Sequence, residues 1–505
     1  MSGSLECCVV RCEQQRRPEH HVIAAEPSFS WTSLLPYWGD NAEGTNSARR
    51  STGDLKKFGR GGRSLTRSLT RKRSLESQEI SGFRNPWPSW HKPTSVEVWQ
   101  ALEWGEDTDP CIELARSHVA EIRKLGRSSS SNLSNAVTFK SNKSQAAELL
   151  RVTKPDFSFD PQSDRAKTTW LGHAGVLVQL QQLSEGSRTY TYPPPCAVED
   201  LPEIDVVMIS HNHYDHLDFD TIMTLWKRHA KHLRFVVPLG NRQWFLDSGI
   251  DPGRVVELDW WDAVHLTPPP DADGREVGSL HITCTPSQHG SGRSGTDANA
   301  SLWSSWYLEH YRAPSERYCV FFAGDSGYQF HASPGWPPPP SSSEKEREQV
   351  AARFDDNSPQ TKYPVCPIFK EIANRLGSPH LLMLPIAVGA TYDYVRSMAP
   401  VPDSMNPIPR HSAGVTAHNH MPPWDAVRVL RAMTESSGGG GERAVAIAMH
   451  WGTFVIDAME VLKTLGQLEW ACEAHAVRFS RTLEPREEDG KACFLALNHG
   501  ESVVT

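Results

Sequence analysis

The stretch Ser210-His211-Asn212-His213-Tyr214-Asp215-His216-Leu217-Asp218 constrains this chain more than any other. It crowds three histidines and an aspartate together directly after the apolar run Ile204 to Ile209, which reads as a buried strand. Imidazole nitrogens and carboxylate oxygens are the usual ligands of zinc and similar borderline metals. In extended backbone, positions two apart point the same way. His211 and His213 can therefore address one ion, while Asp215 and His216, past the turn, can address a second about 3.5–4 Å away. A His-rich surface loop is the plain alternative, but a strand end followed by this spacing is a far narrower pattern.

One loop cannot supply two ions with all their ligands, so further ligands should arrive from later strand ends of a rigid scaffold. Leu280 to Thr285 reads as a strand and runs into Pro286-Ser287-Gln288-His289. Tyr318 to Phe322 reads as a buried strand ending in Ala323-Gly324-Asp325-Ser326-Gly327, and Ala444 to Met449 as another ending in His450-Trp451-Gly452. Each is a short apolar run followed by one ligand-type residue. Taken singly, Asp325 reads equally as a turn aspartate, His289 as a loop histidine and His450 as a hydrogen-bonded histidine near the core. Their order after the first motif is what singles them out.

The His-x-His-x-Asp-His pattern resembles the metallo-β-lactamase superfamily. Its pattern implies that His211, His213 and His289 hold a first zinc ion, that Asp215, His216 and His450 hold a second, and that Asp325 bridges the two. The blocks around these residues resemble N-acylphosphatidylethanolamine-hydrolysing phospholipase D: Trp170-Leu171-Gly172-His173-Ala174, Glu257-Leu258-Asp259-Trp260-Trp261, Thr285 to His289, Phe321 to Tyr328, His450-Trp451-Gly452-Thr453-Phe454, Asn498 to Ser502 and, upstream, Phe83-Arg84-Asn85-Pro86-Trp87-Pro88-Ser89-Trp90. The resemblance covers most of the chain from Phe83 onward, with gaps. It implies a zinc-dependent phosphodiesterase that cleaves N-acylphosphatidylethanolamine to phosphatidate and N-acylethanolamine, with Asp215, Asp325 and His420 as catalytic residues. His420 matches a family histidine that precedes a helix, and its expected work is to hydrogen-bond the phosphate or assist the leaving alcohol. His418 two residues away competes for that assignment, and His499 is expected to face the same end of the site. Two other readings stand beside this one: another hydrolase of the superfamily, such as a lactonase or a different phosphodiesterase, since fold does not fix substrate; or a catalytically impaired lipid-binding homologue.

The last of these draws on a departure. After Leu180 the family continues into a strand ending in a Thr-Asp-Pro type turn, whereas here Gln181 to Arg188 leads to Tyr192-Pro193-Pro194-Pro195-Cys196 with no Asp-Pro. Loss of a strand would expose a new sheet edge. The stretches near residues 332–366 and 398–413, and Gly438 to Gly441, are too polar or too rich in Pro, Ser and Gly to pack and read as surface excursions.

The 505 residues carry a net charge of −8, which does not favour a nucleic-acid partner. Locally, residues 49–73 hold many Arg and Lys against the single acid Asp54. That stretch reads as a disordered tail, with an attraction to anionic membranes of about 1 kcal/mol per basic residue near the surface. The ten cysteines suggest neither a zinc ribbon nor a disulfide framework, with Cys284 and Cys319 expected as buried thiols. No apolar run approaches the ~20 residues of a membrane span. An intracellular enzyme with peripheral membrane association is expected, on the cytoplasmic face or in mitochondria, and Trp87, Trp90, Trp99 and Trp104 are candidate interfacial anchors.

The expected fold is a four-layer αβ/βα sandwich of the metallo-β-lactamase type. Residues 1–82 form a disordered tail, 83–150 a cap and 151–505 the hydrolase domain. Asp218 should cap a helix over Phe219 to Lys231. The expected partner is phospholipid at a membrane surface, and the resemblance carries over a homodimer.

Overall fold

The computed structural model describes residues 6–12, 19–23, 80–116 (apart from 106 and 108), 150–159, 165–180, 194–268, 278–293, 297–313, 316–331, 362–387, 406–435, 444–453, 458–482 and 492–505. Two layers of sheet pack face to face. The larger has nine strands, numbered in chain order: β1 (Glu6–Val10), β10 (Ala263–Thr267), β11 (Ser279–Thr285), β12 (Ser305–Ala313), β13 (Glu316–Phe322), β14 (Leu381–Pro385), β16 (Val445–Met449), β18 (Cys493–Leu495) and β17 (Arg478–Ser480), in that spatial order. Pairing is antiparallel from β1 to β13 and parallel from β13 onward. The facing layer consists of β19 (Ser502–Val504), β5 (Lys167–Gly172) and β6 (Gly175–Gln179), and of β7 (Val206–Met208), β8 (Arg234–Pro238) and β9 (Val255–Leu258).

Alternation decides which core each strand feeds. Val176, Val206 and Val236 join the inter-sheet core with Leu280, Ile282, Val320 and Met383. Leu177, Val207, Phe235 and Val237 face outward onto Ile222, Leu225 and Phe245 of two helices, α2 (Phe219–His229) and α3 (Arg242–Asp247). Asp218 caps α2 by accepting the Thr221 N–H at 2.9 Å, and Lys227, Arg228 and His229 complement the dipole in its last turn. Over the outer face of the large sheet lie α4 (Ile368–Leu376), α6 (Pro423–Thr434) and α7 (Ala458–Ala474); Phe369, Ile372, Val427, Leu430 and Leu465 are buried there. Each such side chain contributes about 1.5–3 kcal/mol by leaving water. The order helix, sheet, sheet, helix is the expected four-layer sandwich.

Three expectations need correction. Glu6–Val10 and His21–Ile23 are not disordered: the first pairs along β10 and the second forms β2 against β3 (Ile80–Phe83). The Cys-Cys-Val-Val run carried the local signal, but the edge it pairs with is more than 250 residues away, and composition does not report such a contact. Residues 24–79, including the basic stretch, lie outside the described residues. In the cap, α1 (Ser95–Gln100) carries a full capping box between Thr94 and Glu97. Trp87 stacks on Trp260 and Trp90 packs against His418, so of the four tryptophans only Trp99 and Trp104 are exposed, at 71% and 60%. The third correction concerns the excursions. Residues 332–361 and 388–405 lie outside the described residues, but Cys366 and Ser412 are buried. The pair β15 (Arg410–His411) runs antiparallel to β4 (Leu102–Glu103), tying the cap to the body.

The departure from the family pattern falls at residues 181–193, outside the described residues. On either side of it, β6 and β7 are not paired with each other among the described residues. Their inner faces, Val176, Val178, Leu180, Val206 and Met208, line a small apolar cavity of about 30 Å3 with Leu280, Ile282, Leu308, Phe322 and Met383.

Candidate metal centre

Ligand-type side chains converge where the strands end. β7 delivers His211 and the turn that carries His213, Asp215 and His216; β11 leads to His289, β13 to Asp325 and β16 to His450. Gly324 makes the last approach possible. Its φ is +60°, and a Cβ there would lie 2.8 Å from the Ser210 Cβ, so a side chain would push Asp325 away from the His211 strand.

Asp325 is the hub. Its Oδ2 lies 3.0 Å from His216 Nε2, 3.1 Å from His450 Nε2, 3.3 Å from His420 Nε2, 3.8 Å from His211 Nε2 and 3.9 Å from His289 Nε2. His211 Nε2 is 2.8 Å from His213 Nδ1, and His289 Nε2 is 3.4 Å from the same atom. Two groups of side chains could each hold one ion: His211, His213, His289 and Asp325; and His173, Asp215, His216 and His450. All seven expected ligands are therefore brought together. His420 joins them at Asp325 from the loop between α5 (Ala413–Thr416) and α6. His418 is buried with its Nδ1 3.1 Å from the Val415 carbonyl, so of the two it is His420 that the structure brings to Asp325. His499 packs edge-on against Trp170 and is not among the converging side chains, contrary to expectation.

The far ring nitrogens are held by the surroundings. His289 Nδ1 lies 3.0 Å from the Asn419 carbonyl, His211 Nδ1 3.0 Å from Ser210 Oγ, His213 Nε2 3.2 Å from the Gly292 carbonyl and His450 Nδ1 3.4 Å from the Ala387 carbonyl. Such contacts fix tautomer and ring orientation, leaving a lone pair on the other nitrogen for a cation.

The donor set fits divalent metal. Asp325 Oδ1 and His216 Nε2 are buried with no hydrogen-bond partner, as expected of atoms aimed at an ion rather than at one another. Burial pushes His211 and His289 well below the ordinary imidazole range, and burial with the nearby Arg293 charge lowers His213 to about 4. These rings are neutral, the form that ligates. His216 is different. Burial acts downward on it most strongly, yet the carboxylates of Asp325 and Asp215 together hold it up at about 10. Burial likewise opposes the charge on Asp215 and Asp325, but the histidine cluster keeps both well below the carboxylate range. The same two carboxylates that raise His216 would be neutralised by a bound cation, and binding would then be linked to loss of a proton from that ring.

Two residues were not singled out for a role by sequence. His173, in the tight turn between β5 and β6, is buried with φ 47°. Its Nε2 is 3.1 Å from Asp215 Oδ2 and its Nδ1 3.1 Å from Thr453 Oγ1. The signal was the glycine-histidine turn between two apolar strands. Arg293, half-exposed, reaches the other Asp215 oxygen at 2.5 Å. It comes from a Gly/Ser-rich loop whose composition gives no hint of this contact.

Residues 159–333 match the model of a β-lactamase superfamily domain. The chain is 32% identical over 179 residues to N-acyl-phosphatidylethanolamine-hydrolyzing phospholipase D 1 of Caenorhabditis elegans, covering 32% of this chain and 46% of that one. It is 30% identical over 204 residues to an uncharacterized protein of Mycobacterium tuberculosis, covering 37% and 48%. It is 36% identical over 134 residues to the mitochondrial N-acyl-phosphatidylethanolamine-hydrolyzing phospholipase D of Saccharomyces cerevisiae, covering 26% and 25%. The chain thus spans about half the length of the first two relatives and a quarter of the third. With its four layers and the converging strand ends, the chain carries a β-lactamase superfamily domain in the metallo-β-lactamase fold.

Proposed function

We propose that this chain is a metal-dependent phosphodiester hydrolase that cleaves N-acylphosphatidylethanolamine into N-acylethanolamine and phosphatidate. The observation that carries the reading is the convergence of His211, His213, Asp215, His216, His289, Asp325 and His450 around one carboxylate. The names of two relatives support that substrate class for the proposal. When bound, two divalent ions, zinc on this ligand set, supply Lewis acidity toward the phosphate and activate water near neutral pH.

The chain's own residues do the rest. Asp325, within 3.0–3.9 Å of histidines of both groups, would hold both ions and screen their charges from each other. His173 and Arg293 hold the Asp215 carboxylate from opposite oxygens. His420, which burial keeps neutral, sits at the hub, where its ring N–H can donate a hydrogen bond to a phosphate oxygen or to the departing oxygen.

Substrate reaches the site from a membrane. No helix of the described residues is long and apolar enough to cross one, so the proposed contact is peripheral, and Trp99 and Trp104 are exposed aromatics suited to an interface. The proposed location is an intracellular membrane surface, cytoplasmic or mitochondrial, and the proposed assembly a homodimer.

The test is product analysis by mass spectrometry of zinc-loaded protein given N-acylphosphatidylethanolamine vesicles, a panel of lactones and a soluble phosphodiester in parallel. Release of N-acylethanolamine with phosphatidate supports the reading. Turnover of lactone or soluble diester alone would replace it with another hydrolase of the superfamily, and vesicle binding without any product with a lipid-binding role.

A further inference from the structure

A second cluster of ligand-type side chains lies apart from the centre just described. His20 Nε2 is 2.7 Å from Asp259 Oδ1, and His21 Nε2 is 2.8 Å from Asp259 Oδ2. The three side chains are 7%, 9% and 15% exposed, and their ligand atoms lie close enough together to hold one ion. His21 Nε2 is buried beside the carboxylate yet has no hydrogen-bond partner. At 2.8 Å from the carboxylate oxygen it is in place to share an ion with it.

We propose that His20, His21 and Asp259 form a structural site for a zinc-type divalent ion that clasps the N-terminal strand β2 to the hydrolase body. Two imidazoles and one carboxylate, with water in the fourth position, hold zinc in known three-ligand protein sites; here the same donors would tie two segments of chain together. The carboxylate is already fixed for the task. Asp259 Oδ1 accepts the Trp260 N–H at 2.8 Å, and the Asp259 N–H is held by Asp262 Oδ2 at 3.1 Å. Ligating carboxylates are characteristically anchored this way. The ring of His20 lies on Trp260 at 4.1 Å between centroids, which fixes its direction.

The fold gives the clasp a reason. β2 has three residues, pairs among the described residues with β3 alone, and is separated from it in sequence by residues 24–79. An isolated two-stranded pair is marginal, and closing so long a loop costs entropy that a metal clip is well placed to offset. The clasp also reaches the catalytic end. The His20 carbonyl accepts the Arg84 N–H at 2.9 Å, and the neighbouring Asn85 Nδ2 donates to the His289 carbonyl at 2.7 Å.

The experiment measures zinc per chain by inductively coupled plasma mass spectrometry, using full-length protein loaded with zinc and dialysed. It compares wild type with the double variant His20→Gln/His21→Gln and with Asp259→Asn. Both variants should hold one zinc equivalent fewer than wild type, whether or not the two-ion centre proves to be a phosphodiesterase. Equal zinc in folded variants and wild type overturns the site and leaves a hydrogen-bonded His-Asp-His contact. If the variants do not fold, an anomalous difference map of wild-type crystals at the zinc edge decides. A peak within bonding distance of His20, His21 and Asp259 supports the site, and no peak there overturns it.

Discussion

Replacing His173 with alanine isolates one of the two ligand groups. The imidazole is 2% exposed and sits between Asp215 Oδ2 and Thr453 Oγ1, 3.1 Å from each. Its backbone carbonyl, which accepts the His450 N–H at 2.8 Å, survives the substitution. What is lost is one hydrogen bond to a charged acceptor, worth about 1.5–3 kcal/mol. Passed on to the ion that Asp215 helps to hold, that loss weakens affinity by roughly 10- to 100-fold, the usual range for residues that orient a ligand. The ion shared by His211, His213 and His289 should change little, because His173 belongs to the other group, with Asp215, His216 and His450. Zinc titration against a chelator of known affinity resolves the two. His173→Gly is the control for backbone strain: it keeps the ligand loss but relieves the left-handed conformation, a gain of roughly 1 kcal/mol in stability. A folded His173→Ala protein that binds both ions as tightly as wild type would refute the assignment.

Other predictions follow from the same geometry. Asp425 and Arg428 form a buried pair at 3.0 Å beneath the His420 loop; Asp425→Ala removes the carboxylate opposite a buried guanidinium and should cost about 3–5 kcal/mol in a urea melt, and a cost below 1 kcal/mol would contradict that role for the pair. Glu97 is pushed upward by burial but held down at about 2 by hydrogen bonds from Tyr363, Thr94 and His91. Because its folded value is depressed, its contribution is complete above the unfolded value of about 4.3 and disappears as pH falls through about 2. Glu97→Gln should therefore be about 2 kcal/mol less stable than wild type at pH 7, and the gap should close between about pH 4.5 and 2 in chemical melts. Gly324→Ala places a Cβ against Ser210 at a φ of +60° and should lower zinc occupancy at both positions, measured by mass spectrometry of metal content.

Much of the centre was legible in the sequence because each ligand follows a local signal. The runs before His211, His289, Asp325 and His450 are apolar, short and bounded by glycine, proline or polar residues, so strand ends could be placed and their order matched. Asp218 at the start of α2 and the thiols Cys284 and Cys319, both fully buried, were fixed by equally local patterns. Non-local contacts were not legible. Glu6–Val10 pairs with an edge across the whole domain, and His21 meets Asp259 through residues that share no pattern. Arg293 lies in a loop that reads as solvent, and the ends of the polar excursions pack because Arg410 finds the Gly105 carbonyl at 2.6 Å. His173 was visible as part of a turn but not as a partner of Asp215, since that pairing depends on how β5 and β6 sit against the β7 loop.

The central claim is that Asp325 holds a two-ion centre that hydrolyses the distal phosphodiester of N-acylphosphatidylethanolamine. Its most direct test is product release from vesicles of that lipid by zinc-loaded wild type and by Asp325→Asn, with zinc content measured on the same samples. The account predicts N-acylethanolamine and phosphatidate in equal amounts from wild type, and loss of both products together with bound zinc in the variant. Undiminished release by Asp325→Asn, or none from folded wild type carrying two ions in this centre, would contradict it.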